Sequence, residues 1–372
     1  MHVDVALLEE WMRRYYFDTD IDIGSSGAGT FSFEQVRRLT GLTLEDLDRV
    51  RFDDSQTLGG FGVRAAVAER STGGDLDRVM VTHGSSEANF LVMHALLEPG
   101  DEVVVLDPAY QQLHGICTAI GCRLRRWRLR PEDGFAPDLA ALRHLVTERT
   151  RMVVVNFPHN PTGVSLHPEQ QRELVEIVAG SQAYLVWDAA FAEITYDAPP
   201  LPPPDFYPRA VTLGTLSKNY GLPGLRVGWC LAAPEVLSRC VRMRDYVSLH
   251  LSPLVELIAQ RVIAEADRFV ANRRELAATN LDVLEKWVAD HDPGARMTRP
   301  AGGVCAFVEF PAAADLAETC RGLAERQRVL LIPGRCFGPA YDHYARLGFG
   351  GPSDELETGL RRVSATPGFW GR

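Results

Sequence analysis

Short apolar runs that alternate with helical stretches constrain the fold of this chain more than any other sequence feature. The runs are rich in valine and mostly lack polar alternation, which is typical of strands covered on both faces. Strands that alternate with helices predict an α/β domain with a largely parallel sheet, in which ligands bind beyond the carboxyl ends of the strands. The predicted strands are 79–82, 102–107, 152–156, 184–188, 211–214 and 226–232, and helix candidates between them include 86–97 and 168–179.

The later part of the chain predicts a second, smaller unit. A chain of 372 residues is long for one compact core, so two domains are expected. A long helical stretch over 254–290 is suited to joining two domains, and further strands are predicted near 302–310 and 329–333. We therefore expect an N-terminal segment, 1–44, that packs on the small domain, a large domain, 45–270, and a small C-terminal α/β domain, 271–372.

Charge and cysteine content exclude several classes of protein. The formal net charge of −10 disfavours a nucleic-acid partner. The one dense basic run, 123–130, alternates arginine with apolar residues and predicts the solvated face of a strand. No apolar run is long enough to span a membrane, and residues 1–10 lack the order of a signal peptide. Seven scattered cysteines give neither a disulfide framework nor metal-ligand spacing, so we expect no metal and a cytoplasmic location.

The strongest chemical signal surrounds one of only two lysines, Lys218 and Lys286. Lys218 follows a predicted strand in Gly-Thr-Leu-Ser-Lys-Asn-Tyr-Gly-Leu-Pro-Gly-Leu-Arg, residues 214–226. An amine that bonds a carbonyl compound needs a nearby anion site to anchor that partner. Thr215, Ser217 and Arg226 are suited to holding a phosphate.

This segment resembles the lysine signature of the fold type I pyridoxal-5′-phosphate (PLP) enzymes, the class I/II aminotransferase family. Other motifs of that family occur in the same order from about residue 55 to residue 350. The resemblance implies a large domain with a mostly parallel sheet between helices and a smaller C-terminal α/β domain. It also implies PLP as cofactor, bonded to Lys218, an amino-acid substrate, and a homodimer with active sites at the subunit interface.

The resemblance assigns further residues to the cofactor. Residues 81–88 have the pattern of a strand, a glycine turn and the start of a helix. The resemblance places Gly84, Ser85 and Ser86 of this segment on the phosphate of the cofactor. Tyr110, at the end of the segment 99–110, would lie on a face of the pyridine ring. Taken alone, the first motif is often only a helix cap and the second a core residue.

Two more motifs complete the predicted cofactor site. Asn160, in Asn-Pro-Thr-Gly, would donate to the phenolic oxygen of the cofactor. Asp188, at the end of a predicted strand, would pair with the pyridine nitrogen, and we expect a neighbouring cation to lower its pKa.

The chain departs from the family at two places. Phe191 stands where relatives usually have a tyrosine, so it cannot hydrogen-bond the phenolic oxygen, and we expect a higher pKa for the nitrogen joining Lys218 to the cofactor. The stretch 53–61 lacks the tyrosine that in relatives often reaches the neighbouring subunit's phosphate.

Substrate-binding residues are also implied by the resemblance. Arg346, within 343–350, would bind the substrate α-carboxylate in a bidentate fork, with Arg361 and Arg362 as competing candidates. The segment carrying Ser25, Ser26 and Gly27 would close over the substrate, although such a loop can also be simply flexible. Asn160 is assigned to substrate binding as well as to the cofactor.

The resemblance implies that Lys218 removes the α-proton of the substrate, after which two outcomes compete. Residues 23–33, 40–46 and 52–60 are similar to a branch of the family that works in antibiotic biosynthesis. That branch eliminates water from 3-hydroxyarginine and adds the guanidine to the β-carbon, closing a six-membered ring. The alternatives are an ordinary aminotransferase and a non-catalytic binding or regulatory protein. The acids Asp18, Asp20 and Asp22 are unranked candidates for holding a guanidinium.

Overall fold

The computed structural model describes residues 2–204 and 206–371, and its centre is a twisted sheet. Within those residues the sheet has seven strands, in the order β2-β8-β7-β6-β5-β3-β4. All neighbouring pairs are parallel except those made by β8, which is antiparallel to both β2 and β7. The fold is therefore the predicted α/β arrangement. The strands are β1 Ile21–Asp22, β2 Val79–Thr82, β3 Glu102–Asp107, β4 Arg123–Arg128, β5 Thr150–Asn156, β6 Tyr184–Asp188, β7 Ala210–Thr215, β8 Gly228–Leu231, β9 Cys305–Glu309, β10 Val329–Leu330, β11 Ile332–Pro333 and β12 Tyr344–Gly348.

Helices connect these strands. The predicted long stretch, 254–290, is divided in two at Glu265, where the helical conformation is interrupted. None of the described helices combines the length and apolar character needed to cross a bilayer. The helices are α1 Leu7–Tyr15, α2 Phe33–Thr40, α3 Leu44–Asp48, α4 Phe61–Ser71, α5 Gly84–Leu96, α6 Gln112–Ile120, α7 Leu139–Leu145, α8 Pro168–Gly180, α9 Pro234–Arg244, α10 Pro253–Ala264, α11 Ala266–Asp290, α12 Leu316–Gln327 and α13 Ser353–Ser364.

Burial of whole strands agrees with the lack of polar alternation in the apolar runs. Strands β2, β7 and β8 are buried throughout, as the absence of polar alternation predicts. The basic run forms the edge strand β4, whose first arginine is exposed while Trp127 is fully buried. The indole of Trp127 donates a hydrogen bond to the carbonyl of Asp138. The run is thus an edge strand with one buried anchor, in agreement with the predicted solvated face.

The N-terminal segment contacts the C-terminal part of the chain. Strand β1 pairs in parallel with β10, and β9, β11 and β12 form a separate antiparallel sheet. Gly348 at the end of β12 lies against the carbonyl of Ser25, where a Cβ atom would collide with that oxygen. Close approach of the two backbones at Gly348 fixes the loop that follows β1 beside β12. The domain boundaries at 44/45 and 270/271 remain predictions.

Candidate functional site

A cavity of about 460 Å³ lies beyond the carboxyl ends of strands β3, β5, β6 and β7. This is the edge of the sheet at which an α/β fold is expected to bind ligands. Gly84 and Gly27 are not among the lining residues. Those that were predicted from sequence and do line the cavity are Ser25, Ser26, Ser85, Ser86, Tyr110, Asn160, Asp188, Phe191, Thr215, Ser217, Lys218, Arg226 and Arg346.

One end of the cavity is built to hold an anion. Helix α5 begins at Gly84 without a side-chain cap at His83, and Ser85 and Ser86 in its first turn line the cavity, so their backbone N–H groups are available to an anion there. A Cβ atom at Gly228 would lie 2.5 Å from the backbone nitrogen of Ser85. Only glycine at position 228 therefore lets β8 approach the helix start this closely.

Hydroxyl groups and a guanidinium surround the same helix start. Thr215 Oγ1 and Ser217 Oγ are 3.0 Å apart, and the N–H of Ser217 donates to Thr215 Oγ1. Arg226 has a left-handed backbone, with φ of 55°, and its Nη1 donates to the carbonyl of Pro223 at 3.0 Å. Its guanidinium packs on Gly84, since a Cβ there would lie 2.6 Å from Nη2. These groups form a cradle with the charge and donors that a phosphate requires.

Asp188 lines the cavity at the point where β6 ends. Its Oδ1 accepts the N–H of Ala190 at 2.9 Å, and its side chain is 9 % exposed. Burial raises the pKa of Asp188 to about 6, opposed by the Ala190 N–H and the positive charge of Lys218. In the protein alone, loss of hydration therefore outweighs the charge of Lys218, and the lowering expected beside the pyridine nitrogen stays a prediction.

Lys218 follows β7 and lines the cavity. Its Nζ donates to Ser26 Oγ at 3.1 Å and lies 5.9 Å from the centre of the Phe191 ring. Burial, together with the charge of Arg346, lowers the pKa of Lys218 to about 8. About a tenth of this amine is therefore uncharged at pH 7, far more than for an ordinary lysine, and the uncharged form is the one that reacts with a carbonyl compound.

The lowered pKa of Lys218 predicts a pH dependence of stability in the cofactor-free protein. Between about pH 8 and the ordinary value of 10.5, the unfolded chain binds a proton that the folded chain does not. The free energy of unfolding should therefore rise with pH in this window, by at most about 1.4 kcal/mol per pH unit. Urea unfolding measured against Lys218→Met should show this difference. Lys286 is exposed, so Lys286→Met should change the pH dependence of the unfolding free energy less than Lys218→Met does. An equal pH dependence in the two variants would contradict the lowered pKa of Lys218.

Arg346 lies on β12 and also lines the cavity. It is 2 % exposed, its Nη1 donates to Asn160 Oδ1 at 3.1 Å, and its Nε donates to the carbonyl of Gly24 at 3.0 Å. Because Asn160 Oδ1 accepts from Arg346, the amide nitrogen of Asn160 is left free to donate elsewhere. The competing candidates lie outside the cavity: Arg361 bonds Thr358, and Arg362 bonds the carbonyl of Gln327.

Helix α1 contributes to the wall of the cavity, and sequence analysis did not predict this. Its Glu9 accepts a hydrogen bond from the hydroxyl of Tyr110 at 2.7 Å, across a separation of 101 residues. No local pattern signals such a long-range contact. Other lining residues that were missed are Leu8, Met12, Asn89, Gln112, Asn156, Ala190 and Pro223.

The three acids considered for a guanidinium lie elsewhere. Asp20 pairs with Arg328 at the surface, and Asp18 is exposed. Asp22 accepts the N–H groups of Gly24 and Ser25, which orders the loop after β1. None of the three lines the cavity.

The arrangement as a whole suits a ligand with two anionic ends and a central carbonyl. The cradle at α5, the guanidinium of Arg346 and the amine of Lys218 all line this one cavity. Asn89 contributes a buried Oδ1 that lacks a hydrogen-bond partner among the described residues. A buried polar atom of this kind at a cavity wall indicates that a ligand or solvent completes the site.

Comparisons with known proteins agree with this geometry. Residues 64–363 match the family model described as aminotransferase class I and II. Capreomycidine synthase from Streptomyces vinaceus is 46% identical over 370 residues, covering 99% of this chain and 95% of the synthase. The crystal structure of the PLP-dependent cyclase OrfR superposes with a TM-score of 0.92 at 46% identity and covers 98% of this chain and 97% of that one. Arginine–pyruvate transaminase from Pseudomonas aeruginosa is 29% identical over 297 residues, covering 78% of this chain and 75% of the transaminase.

Proposed function

The chain belongs to the class I and II aminotransferase family, and on that premise we propose that it is a PLP-dependent cyclase acting on 3-hydroxyarginine. The observation that carries the proposal is the similarity to capreomycidine synthase over almost the whole of both chains. The reaction would release water from the substrate and form a cyclic arginine derivative for antibiotic biosynthesis.

PLP is the cofactor of this family, and the cavity fits it. The cradle of Ser85, Ser86, Thr215, Ser217 and Arg226 suits the phosphate, and Asp188 suits the pyridine nitrogen. Lys218 supplies the amine for the cofactor carbonyl, and the free amide nitrogen of Asn160 suits the phenolic oxygen. When bound, PLP withdraws electrons from the bonds at the substrate α-carbon. A proton bonded to the pyridine nitrogen would reverse the effect of burial on Asp188, keeping its carboxylate charged.

The protein's own residues orient the substrate and move its protons. Arg346 binds the α-carboxylate through two N–H groups. Lys218 takes the proton from the α-carbon and later returns it, because its lowered pKa makes the amine an effective base near neutral pH. The bond between the β-carbon and its hydroxyl breaks, and a bond forms from a guanidine nitrogen to the same carbon. The proton lost by that nitrogen leaves with the hydroxyl as one water.

Transamination is the second candidate, because the family match and the arginine–pyruvate transaminase both favour it. The two candidates differ in their need for a keto acid, which only transamination consumes. We expect 3-hydroxyarginine to be converted at the same rate with and without pyruvate, as measured by chromatography of the products. Conversion that requires pyruvate and yields alanine would instead establish an aminotransferase.

Phe191 offers a prediction about the bound cofactor. Its ring is 2 % exposed and lies near Lys218, and it lacks the hydroxyl that relatives place there. The variant Phe191→Tyr adds a donor that favours a negative phenolic oxygen. We expect it to lower the pH at which the visible absorbance of the holoenzyme changes. The spectrum is read by titration between pH 5 and about 9, within the range where such groups titrate. An unchanged or higher midpoint would contradict the role given to this position.

We also propose a homodimer in the cytoplasm. Large apolar side chains that a single chain leaves in solvent include Phe52, Phe61 and Tyr246, and such residues are typical of a subunit interface. All seven cysteines are free thiols, which suits a reducing compartment. Light scattering of the purified holoenzyme tests the dimer.

A further inference from the structure

Five charged side chains line the cavity within the described residues, and four of them have a partner in the proposed cofactor and substrate. Arg226 faces the phosphate, Arg346 the α-carboxylate, Asp188 the pyridine nitrogen, and Lys218 bonds the cofactor. The fifth, Glu9, has no role in that assignment. An unmatched carboxylate in a ligand cavity favours a ligand that brings a cation.

Glu9 is held in place by the packing of α1. The indole nitrogen of Trp11 donates to the carbonyl of Leu331 at 2.8 Å. Gln111 accepts the N–H of Leu7 and donates to the carbonyl of Val5. These bonds fix the helix both to the loop that carries Tyr110 and to Leu331, which lies between β10 and β11. Glu9 therefore projects into the cavity from a helix anchored at two points.

The carboxylate of Glu9 is partly buried, and one of its two oxygens accepts a hydrogen bond. Oε1 accepts from the Tyr110 hydroxyl at 2.7 Å, and no arginine or lysine among the described residues lies within 4.0 Å of either oxygen. Its negative charge acts on both Lys218 and Arg346, opposing the lowering of the pKa of each. A carboxylate already oriented by one hydrogen bond loses little freedom when it binds a cation.

The neighbours of Glu9 define the rest of the ligand. Leu8 and Met12 lie one turn apart on α1 and also line the cavity. They offer an apolar surface next to the carboxylate. This combination suits a side chain with a methylene stem and a cationic end. A substrate with an acidic side chain would instead place a second negative charge beside Glu9.

From this geometry we propose that Glu9 binds the side-chain guanidinium of the substrate and selects arginine-type amino acids over acidic and neutral ones. The inference rests on the proposed function, since it uses the same cavity and the same substrate class. Glu9 is a specificity-determining residue here, whose free Oε2 accepts from the guanidinium while Tyr110 holds Oε1.

The test compares L-arginine with L-citrulline, which has nearly the same shape and no charge. Borohydride reduction of the holoenzyme fixes the cofactor to Lys218, so that either amino acid can bind without reacting. We expect calorimetry to show that the wild type binds L-arginine roughly 10- to 100-fold more tightly, the effect of one charge-assisted hydrogen bond. In Glu9→Gln, which preserves size and can still accept from Tyr110, we expect this preference to fall below about threefold. The matched control Glu10→Gln removes the same charge from the next, exposed residue and should keep the preference.

A preference that survives in Glu9→Gln, or is lost equally in Glu10→Gln, would overturn the inference. Its failure is distinguishable from failure of the proposed function. If unreduced wild type releases water from 3-hydroxyarginine but shows no preference for L-arginine, only the role of Glu9 is wrong. If it releases no water but loses the preference in Glu9→Gln, Glu9 still selects the guanidinium and the reaction is a different one.

Discussion

Lys218→Ala is expected to remove both the visible absorbance of the bound cofactor and the turnover of 3-hydroxyarginine. The variant lacks the only amine that lines the cavity among the described residues. Loss of the proton transfer alone should lower kcat by roughly 10²- to 10⁴-fold. Loss of the bond to the cofactor adds to that effect. Absorbance spectra and product chromatography of the same preparation measure both.

The second lysine provides the control. Lys286 lies on an exposed face of α11 and pairs with Asp290, so Lys286→Ala should retain absorbance and activity. The fold of Lys218→Ala should also survive, because the Nζ of Lys218 bonds only Ser26. A folded Lys218→Ala protein that keeps normal turnover would show that the chemistry does not depend on this amine.

Arg346→Lys is expected to raise KM for 3-hydroxyarginine by roughly 10- to 100-fold, since lysine keeps the charge but loses the bidentate fork. We choose lysine because Arg346→Ala would also leave Asn160 Oδ1 and the Gly24 carbonyl without their buried donor. Steady-state kinetics with the amino acid varied measures the change. Affinity for PLP should change much less than KM, because Arg346 makes no hydrogen bond to Thr215, Ser217 or Arg226 of the phosphate cradle.

Arg361→Lys is the matched control for this prediction. Arg361 bonds Thr358 at the surface of α13 and was a sequence-based alternative for the same role. Its substitution should leave KM unchanged. A rise in KM for Arg361→Lys together with normal kinetics for Arg346→Lys would exchange the two roles.

The residues predicted from sequence are those that follow the strands directly. Asp188 ends β6, Lys218 follows β7, and Asn160 comes shortly after β5. In a parallel sheet these ends meet at one edge, so local motifs determine which side chains converge. Arg346 was ranked above Arg361 by its motif alone, and the structure brings only Arg346 to the cavity.

The features that sequence analysis missed depend on contacts between residues far apart in the chain, which a local pattern does not show. Glu9 reaches the cavity because α1 is bonded to Gln111 and Leu331, both far along the chain. The direction of the pKa shift of Asp188 in the protein alone also depends on the structure, because burial and charge oppose each other and only the structure gives their balance. Division of the long helical stretch at Glu265 likewise had no glycine or proline to signal it.

The mass of the product from 3-hydroxyarginine labelled with ¹⁵N at the α-amino group tests the proposed cyclase most directly. The holoenzyme is given this substrate without any keto acid. Our account predicts one product that has lost one water and retains the label, because the α-amino group never leaves the carbon skeleton. Loss of the label from the carbon skeleton, or no release of water, would contradict it.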